Sequence, residues 1–168
     1  MCLRQLKMPK VYLAADHAGF ALKHALIEEL RTLGYETEDL GAHTLSPEDD
    51  YPDFITPCAE KVASDEGSFG VVIGGSGQGE AMCANRVKGA RAAVFYGPRK
   101  AVGELEREGS ASIDEFDIVR LARAHNDANI LSIGSRFVSH EEAVEALELF
   151  LSTPFSGSER HVRRIAKY

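Results

Sequence analysis

One eleven-residue stretch limits the architecture more than any other: Gly70–Glu80, which reads Gly-Val-Val-Ile-Gly-Gly-Ser-Gly-Gln-Gly-Glu. Val71, Val72 and Ile73 form a short β-branched apolar run, suited to a fully buried parallel strand. Four glycines then fall within six residues, at 74, 75, 77 and 79. They let the backbone turn sharply and bring its N–H groups close to a ligand. Ala81, Met82, Ala84 and Val87 follow, mostly apolar and compatible with a helix. Strand, glycine loop and helix start together make a natural anion site. Glu80 stands where the helix begins. Two readings are open for it: a base beside a stabilised oxyanion, or a first-turn acid serving its own helix.

The flanking chain repeats the strand–helix alternation. Val11–Ala15 reads as a buried strand with Asp16-His17-Ala18-Gly19 at its carboxyl end. Leu22, Leu26, Leu30 and Leu33 recur at helical spacing, and Gly34 is placed as the C-cap. Tyr35–Leu40 is a weaker strand, Gly41–Asp53 a polar loop, and Phe54–Ser64 a helix with Ile55, Ala59 and Val62 on one face. Arg91–Phe95 and Ala128–Ile133 are the fourth and fifth strands. Ile118–Ala124 is read as helical, while the charged stretch between Lys100 and Asp117 is left open between helix and loop. Ser139 and Glu142 form a capping box, opening a helix that turns Val144, Leu147 and Leu151 inward. A basic segment runs from Arg160 to Arg164. This alternation implies an α/β fold: a Rossmann-like α/β/α sandwich around a five-stranded parallel sheet, in which ligands sit at the carboxyl ends of the strands. Asp16, His17, Gly74–Glu80 and Arg136 all fall at such ends.

Composition removes several functional classes. With 168 residues, the chain has length for a single domain with a substantial core. The net charge of −7 argues against general nucleic-acid binding. No apolar run is long enough to span a bilayer, and Met1–Lys10 lacks the apolar centre of an export signal. Cys2, Cys58 and Cys83 are odd in number and lack metal-ligand spacing, which fits a reduced, cytoplasmic chain. The six histidines show no paired spacing, so no metal is expected. From Gly75 or Gly77, the last position of a dinucleotide fingerprint falls on Glu80 or Met82, and the Gly-Lys-Ser/Thr of a P-loop is absent. Ser76 has no nucleophile-elbow motif around it.

What remains is a carboxylate, two histidines, a donor-rich loop and a late arginine cluster. A helix N-terminus is expected to keep Glu80 ionised, as a weak base that needs a stabilised oxyanion to remove a carbon-bound proton. Backbone N–H groups of Gly75, Ser76, Gly77, Gln78 and Gly79 are placed to supply that stabilisation, worth about 3–4 kcal/mol per well-aligned donor. A histidine exchanges protons near neutral pH, which makes His125 a candidate acid; it is equally a helix C-terminal histidine serving the dipole. Asp16 and His17 have capping alternatives. Arg160 and Arg164, four apart, share a helix face and suit a phosphate, or else form a solvated basic end. Arg136 is open between a site residue and a surface residue.

Taken together and in order, Asp16-His17-Ala18-Gly19, Gly74–Glu80, His125-Asn126-Asp127, Gly134-Ser135-Arg136 and Arg160–Arg164 resemble the type B ribose-5-phosphate isomerase family, whose relatives include galactose-6-phosphate isomerase subunits. The resemblance runs from about Lys10 onward. It implies an aldose–ketose isomerase that interconverts ribose 5-phosphate and ribulose 5-phosphate through a cis-enediolate without metal or cofactor. It also implies a homodimer or homotetramer with shared active sites. One branch of that family uses a cysteine base just ahead of the glycine loop, where this chain has Gly74; Glu80 instead matches the glutamate-base branch, similar to actinobacterial enzymes. By the resemblance His125 assists ring opening, Asp16, His17, Gly75–Gly79 and Asn126 hold the sugar, and Arg136, Arg160 and Arg164 hold the phosphate. The departure is the long connection from Gly97 to Ala124, with an inserted segment at about 100–117. The alternatives are an isomerase of a six-carbon or modified phosphosugar, and a non-catalytic phosphosugar-binding protein.

Overall fold

The apolar run of the glycine motif lies at the middle of the sheet. The computed structural model describes residues 8–105 and 114–168. In it β3 (Phe69–Gly74) sits between β1 (Lys10–Ala15) and β5 (Ile130–Gly134), with β2 (Glu36–Asp39) outside β1 and β4 (Ala92–Phe95) outside β5. All four pairings are parallel, as the alternation required. Successive strand residues face opposite sides. Val11, Leu13, Ala15, Val71, Ile73, Leu131 and Ile133 pack with α1 (Phe20–Thr32), α4 (Asp117–Asn126) and α5 (His140–Ser152). Tyr12, Ala14, Val72 and Ile130 pack on the other face, with α2 (Pro52–Ser64) and α3 (Gln78–Ala84). Strands apolar on both faces are what a covered parallel sheet requires.

Local chemistry sets the element ends. Pro52 occupies the first turn of α2, where its missing N–H costs nothing. The Ser139–Glu142 capping box is present, with both reciprocal bonds. The inward face of α5 differs from the expected one. Ala143, Ala146, Leu147 and Phe150 are its buried residues, and Val144 and Leu151 pack only partly against the core. Leu33, last of the leucines at helical spacing, is the C-cap of α1, which ends at Thr32, and is 44% exposed. The basic segment is a short helix, α6 (Glu159–Ile165). Of the segment read as an insertion, at about 100–117, residues 106–113 lie outside the described residues; on either side of them Arg99 N–H donates to Glu115 O at 2.7 Å, and Arg120 holds Asp114 with both terminal nitrogens. Among the described residues, no helix is long and apolar enough to cross a membrane.

Two connections position the site. From β1 the chain goes one way to β2, whereas β3 lies on the other side, so a crevice opens at the carboxyl ends of β1 and β3. The loop after β2 then returns along β1: Ala15 N–H donates to Gly41 O and Ala42 N–H to Ala15 O. Lys23 is fully buried beneath this loop, and its ammonium donates to Asp39 Oδ1 at 2.5 Å and to Ala42 O at 2.7 Å. A buried charge requires such pairing. The pair anchors the root of the loop that carries Asp49 and Tyr51 to the crevice.

Candidate active site

The crevice is a cleft of about 380 Å³ with Asp16, His17, Tyr51, Ser76, Glu80 and Arg136 in its wall. The glycine loop forms its floor. Gly77 has φ +73°, the left-handed conformation that favours glycine, and its carbonyl accepts from the buried Ser132 hydroxyl on β5 at 2.7 Å. Pinning that carbonyl to the sheet fixes the peptide planes on either side of it.

Glu80 is the third residue of α3 and only 4% exposed. Its carboxylate lies directly against Gly74, so closely that a Cβ added there would overlap it. The absence of a side chain at 74 therefore makes the space that Glu80 fills. The structure adds a direction to the expected electrostatics of Glu80. Burial pushes its carboxyl above the ordinary glutamate range; a bond from its own backbone N–H opposes this, and the neighbouring Asp16 charge adds to the rise. Desolvation is the largest of these influences on the carboxyl. A carboxylate raised in this way is a stronger base than a free one.

Asp16 and His17 both have local bonds. Asp16 Oδ1 accepts from the N–H groups of Ala18 at 2.9 Å and Gly19 at 3.2 Å, so this buried residue braces the turn ahead of α1 while lining the cleft; the helix N-cap itself is Gly19, not Asp16 as the capping alternative had it. His17 Nδ1 meets Asp49 Oδ1 at 2.6 Å, and the His17 backbone N–H donates to the same oxygen at 3.1 Å. Asp49 raises the His17 pKa; partial burial and Arg136 oppose it, and Asp16 supports it. Asp16, His17 and Asp49 each bring one ligand-type atom within 4.8 Å of the others, but the shortest of these approaches is the direct His17–Asp49 hydrogen bond. The Arg136 guanidinium lies over Gly75.

The remaining candidates are elsewhere. His125 and Asn126 end α4, which leads into the amino end of β5, whereas the cleft is at the carboxyl ends. At about 3.3 Å per residue, β5 alone separates them by roughly 15 Å. Asn126 lines a larger hollow of about 730 Å³ along β4, with Ile165 and Tyr168. The His125 ring packs on that of His161, 4.2 Å between centroids, and Arg160 Nε donates to His161 Nε2 at 3.0 Å. Arg164 is exposed on the same short helix. One chain thus holds two groups: Glu80 with Asp16, His17, Gly75–Gly79 and Arg136, and at the far end of the sheet His125 with Asn126, Arg160 and Arg164. Sequence reasoning missed Asp49, Tyr51 and Phe137 around the cleft, and His161 beneath His125. The available signal was the Asp49-Asp50-Tyr51-Pro52 run, acids and an aromatic ahead of a proline-started helix.

This arrangement has relatives. Ribose-5-phosphate isomerase B of Mycobacterium tuberculosis is 40% identical over 156 residues, covering 93% of this chain and 85% of that one. The structure of ribose-5-phosphate isomerase B from Mycoplasma genitalium with bound ribulose-5-phosphate is 35% identical, covers 94% of this chain and 92% of its own, and superposes with a TM-score of 0.80. The Thermotoga maritima ribose 5-phosphate isomerase gives 38% identity and a TM-score of 0.79, over 95% of this chain and 96% of that one. The profile of the family described as Ribose/Galactose Isomerase matches residues 11–113 and 109–168, two stretches that meet inside the long connection. With its fold, its glycine-loop cleft and these matches in agreement, the chain belongs to the ribose/galactose isomerase family.

Proposed function

We propose that the protein interconverts ribose 5-phosphate and ribulose 5-phosphate, with Glu80 as the base. The observation that carries this reading is the buried Glu80 carboxylate, held beneath the glycine loop with its pKa raised by burial. Once the sugar ring is open, Glu80 takes the proton from C2 and returns it to C1. The cis-enediolate formed between the two transfers carries its charge on oxygen, and the Gly75–Gly79 amides are the donors nearest to stabilise it. Asp16 and His17 hold the sugar hydroxyls. Arg136 supplies one phosphate contact within the chain.

The distal group fits the same reaction if it belongs to a neighbouring subunit's site. His125 then assists ring opening, Asn126 holds the sugar, and Arg160 and Arg164 complete the phosphate clamp in a homodimer or a larger assembly. Arg164→Ala is expected to weaken phosphosugar binding by roughly 10–100-fold, the loss of one charge-assisted contact, and to leave neutral sugars unaffected. Parallel KM measurements check this, and equal losses for both would remove the phosphate role.

Gly74 offers a second test. A cysteine base at that position and a glutamate at 80 would compete for one volume, which supports placing this chain with the glutamate users. Gly74→Ala is expected to drive the Glu80 carboxylate out of place. Overpacking should cost about 1–3 kcal/mol of stability, and turnover should fall with it. Retained turnover in a folded Gly74→Ala protein would dissociate the base from that position.

The reading as a whole is tested by incubating ribose 5-phosphate with the protein in deuterated water and following the carbons by NMR. Ribulose 5-phosphate carrying deuterium at C1 is the expected product. Turnover of a six-carbon phosphosugar in place of the pentose would move the substrate, and silence across phosphosugars would favour a binding protein.

A further inference from the structure

The Asp49–His17 pair has a geometry that fold stability alone does not account for. The Asp49 side chain is only 9% exposed, and both hydrogen bonds to its carboxylate among the described residues come from one residue, the His17 ring and the His17 backbone. Its second oxygen, Oδ2, is buried and accepts nothing among the described residues. A carboxylate taken out of water with half of its acceptor capacity unmet is costly unless a positive charge faces it. A carboxylate accepts only, so the proton on Nδ1 belongs to the ring, and the free edge of that ring is Nε2. His17 lines the cleft that also holds Glu80 and Arg136.

We infer that Asp49 is a positioning residue for His17: it grips the ring by Nδ1 and keeps it protonated, so that Nε2 serves as a charged hydrogen-bond donor to an oxygen of the sugar-phosphate substrate. The inference deepens the isomerase reading and rests on it for the identity of the ligand. The loop that delivers Asp49 is anchored by Lys23 through Asp39 and Ala42 O, so the pair joins two elements 32 residues apart in the chain.

The charged groups facing the ring are Asp16 on its own turn, Asp49 on the loop after β2, and Arg136 after β5. The two acids outweigh Arg136 and partial burial, and the ring pKa is raised. Its favourable ionisation is therefore complete below the ordinary imidazole pKa and is lost as pH rises through the raised value. Substrate affinity should weaken on that alkaline side.

The test uses the full-length protein with Asp49→Asn, His17→Gln and the double variant. Asp49→Asn keeps the shape of the side chain and removes its charge. Its KM for ribose 5-phosphate should rise roughly 10–100-fold, the range of one charge-assisted hydrogen bond, while kcat changes far less. The alkaline rise in KM should begin at lower pH. By NMR, the imidazole signal assigned through its loss in His17→Gln should titrate at lower pH in Asp49→Asn. The double variant should be no worse than His17→Gln alone, since the two residues act as one unit. A purely structural Asp49 would lower the melting temperature and leave the titration and the KM profile unmoved. An unchanged His17 midpoint, or additive losses in the double variant, overturns the inference. Absence of turnover in the wild-type protein instead overturns the isomerase reading and the assigned ligand; the NMR midpoints then still decide whether Asp49 sets the state of His17.

Discussion

Glu80→Gln is expected to lower kcat by roughly 10²–10⁴-fold, the range for removing a positioned general base, with KM little changed. The same substitution should raise the melting temperature at neutral pH. Burial and Asp16 push the Glu80 carboxyl upward in the native state. A group so raised contributes stability that is complete below the ordinary glutamate pKa and is lost as pH climbs through the raised value. Above the ordinary glutamate pKa the folded protein therefore carries an ionisation cost that the unfolded chain does not bear, and a neutral amide removes that burden. The wild-type rate should likewise fall with acidification at a pH above the ordinary glutamate range. Kinetics and a thermal melt on one preparation check both parts. A Gln variant that turns over normally would remove Glu80 from the mechanism, and one that is inactive and also melts lower would point to a structural role.

The second large effect concerns the far end of the sheet. His125→Ala and Glu80→Gln proteins, each nearly inactive alone, should recover activity when unfolded together and refolded as a mixture. In a twofold-symmetric pair built from one of each, one of the two sites combines both intact residues. Random mixing should thus restore about a quarter of wild-type activity. No other pattern of mixing separates a shared site from two independent defects so directly. Continued inactivity in a mixture shown to contain mixed assemblies would place the role of His125 within its own chain, or remove it.

The centre of the sheet was legible because β1, β3 and β5 are apolar on both faces and each is followed by a turn or a helix. Val71-Val72-Ile73 and the glycines after them located the centre of the fold and the crevice in one reading. Glu80, Asp16 and His17 could be placed because each follows a strand end. Other features depended on three-dimensional neighbours that periodicity does not encode. The rise in the Glu80 pKa comes from burial against Gly74, whereas the local pattern suggested only a helix start that favours negative charge. Asp49 lay hidden in a polar loop, because its partner is distant in sequence and polar loops ordinarily face water. Of the residues expected inward on α5, Leu147 is buried while Val144 and Leu151 lie at the edge of a buried face that also takes Ala143, Ala146 and Phe150. Candidate residues from the two ends of one sheet read as a single set because a linear chain does not show which end of a strand each occupies.

The contact between Gly74 and Glu80 also bears on how such a protein can change over generations. Two positions six residues apart draw on a single volume, so neither is free to vary alone. On the proposed mechanism, a lineage exchanging its glutamate for a thiol at position 74 meets crowding if the thiol arrives first, and loses its base if the glutamate leaves first. Each single step is then expected to lower activity, with the double change needed to reach a working site. The two versions of the site are therefore expected to be stable alternatives, each locked in by sign epistasis between one codon and another.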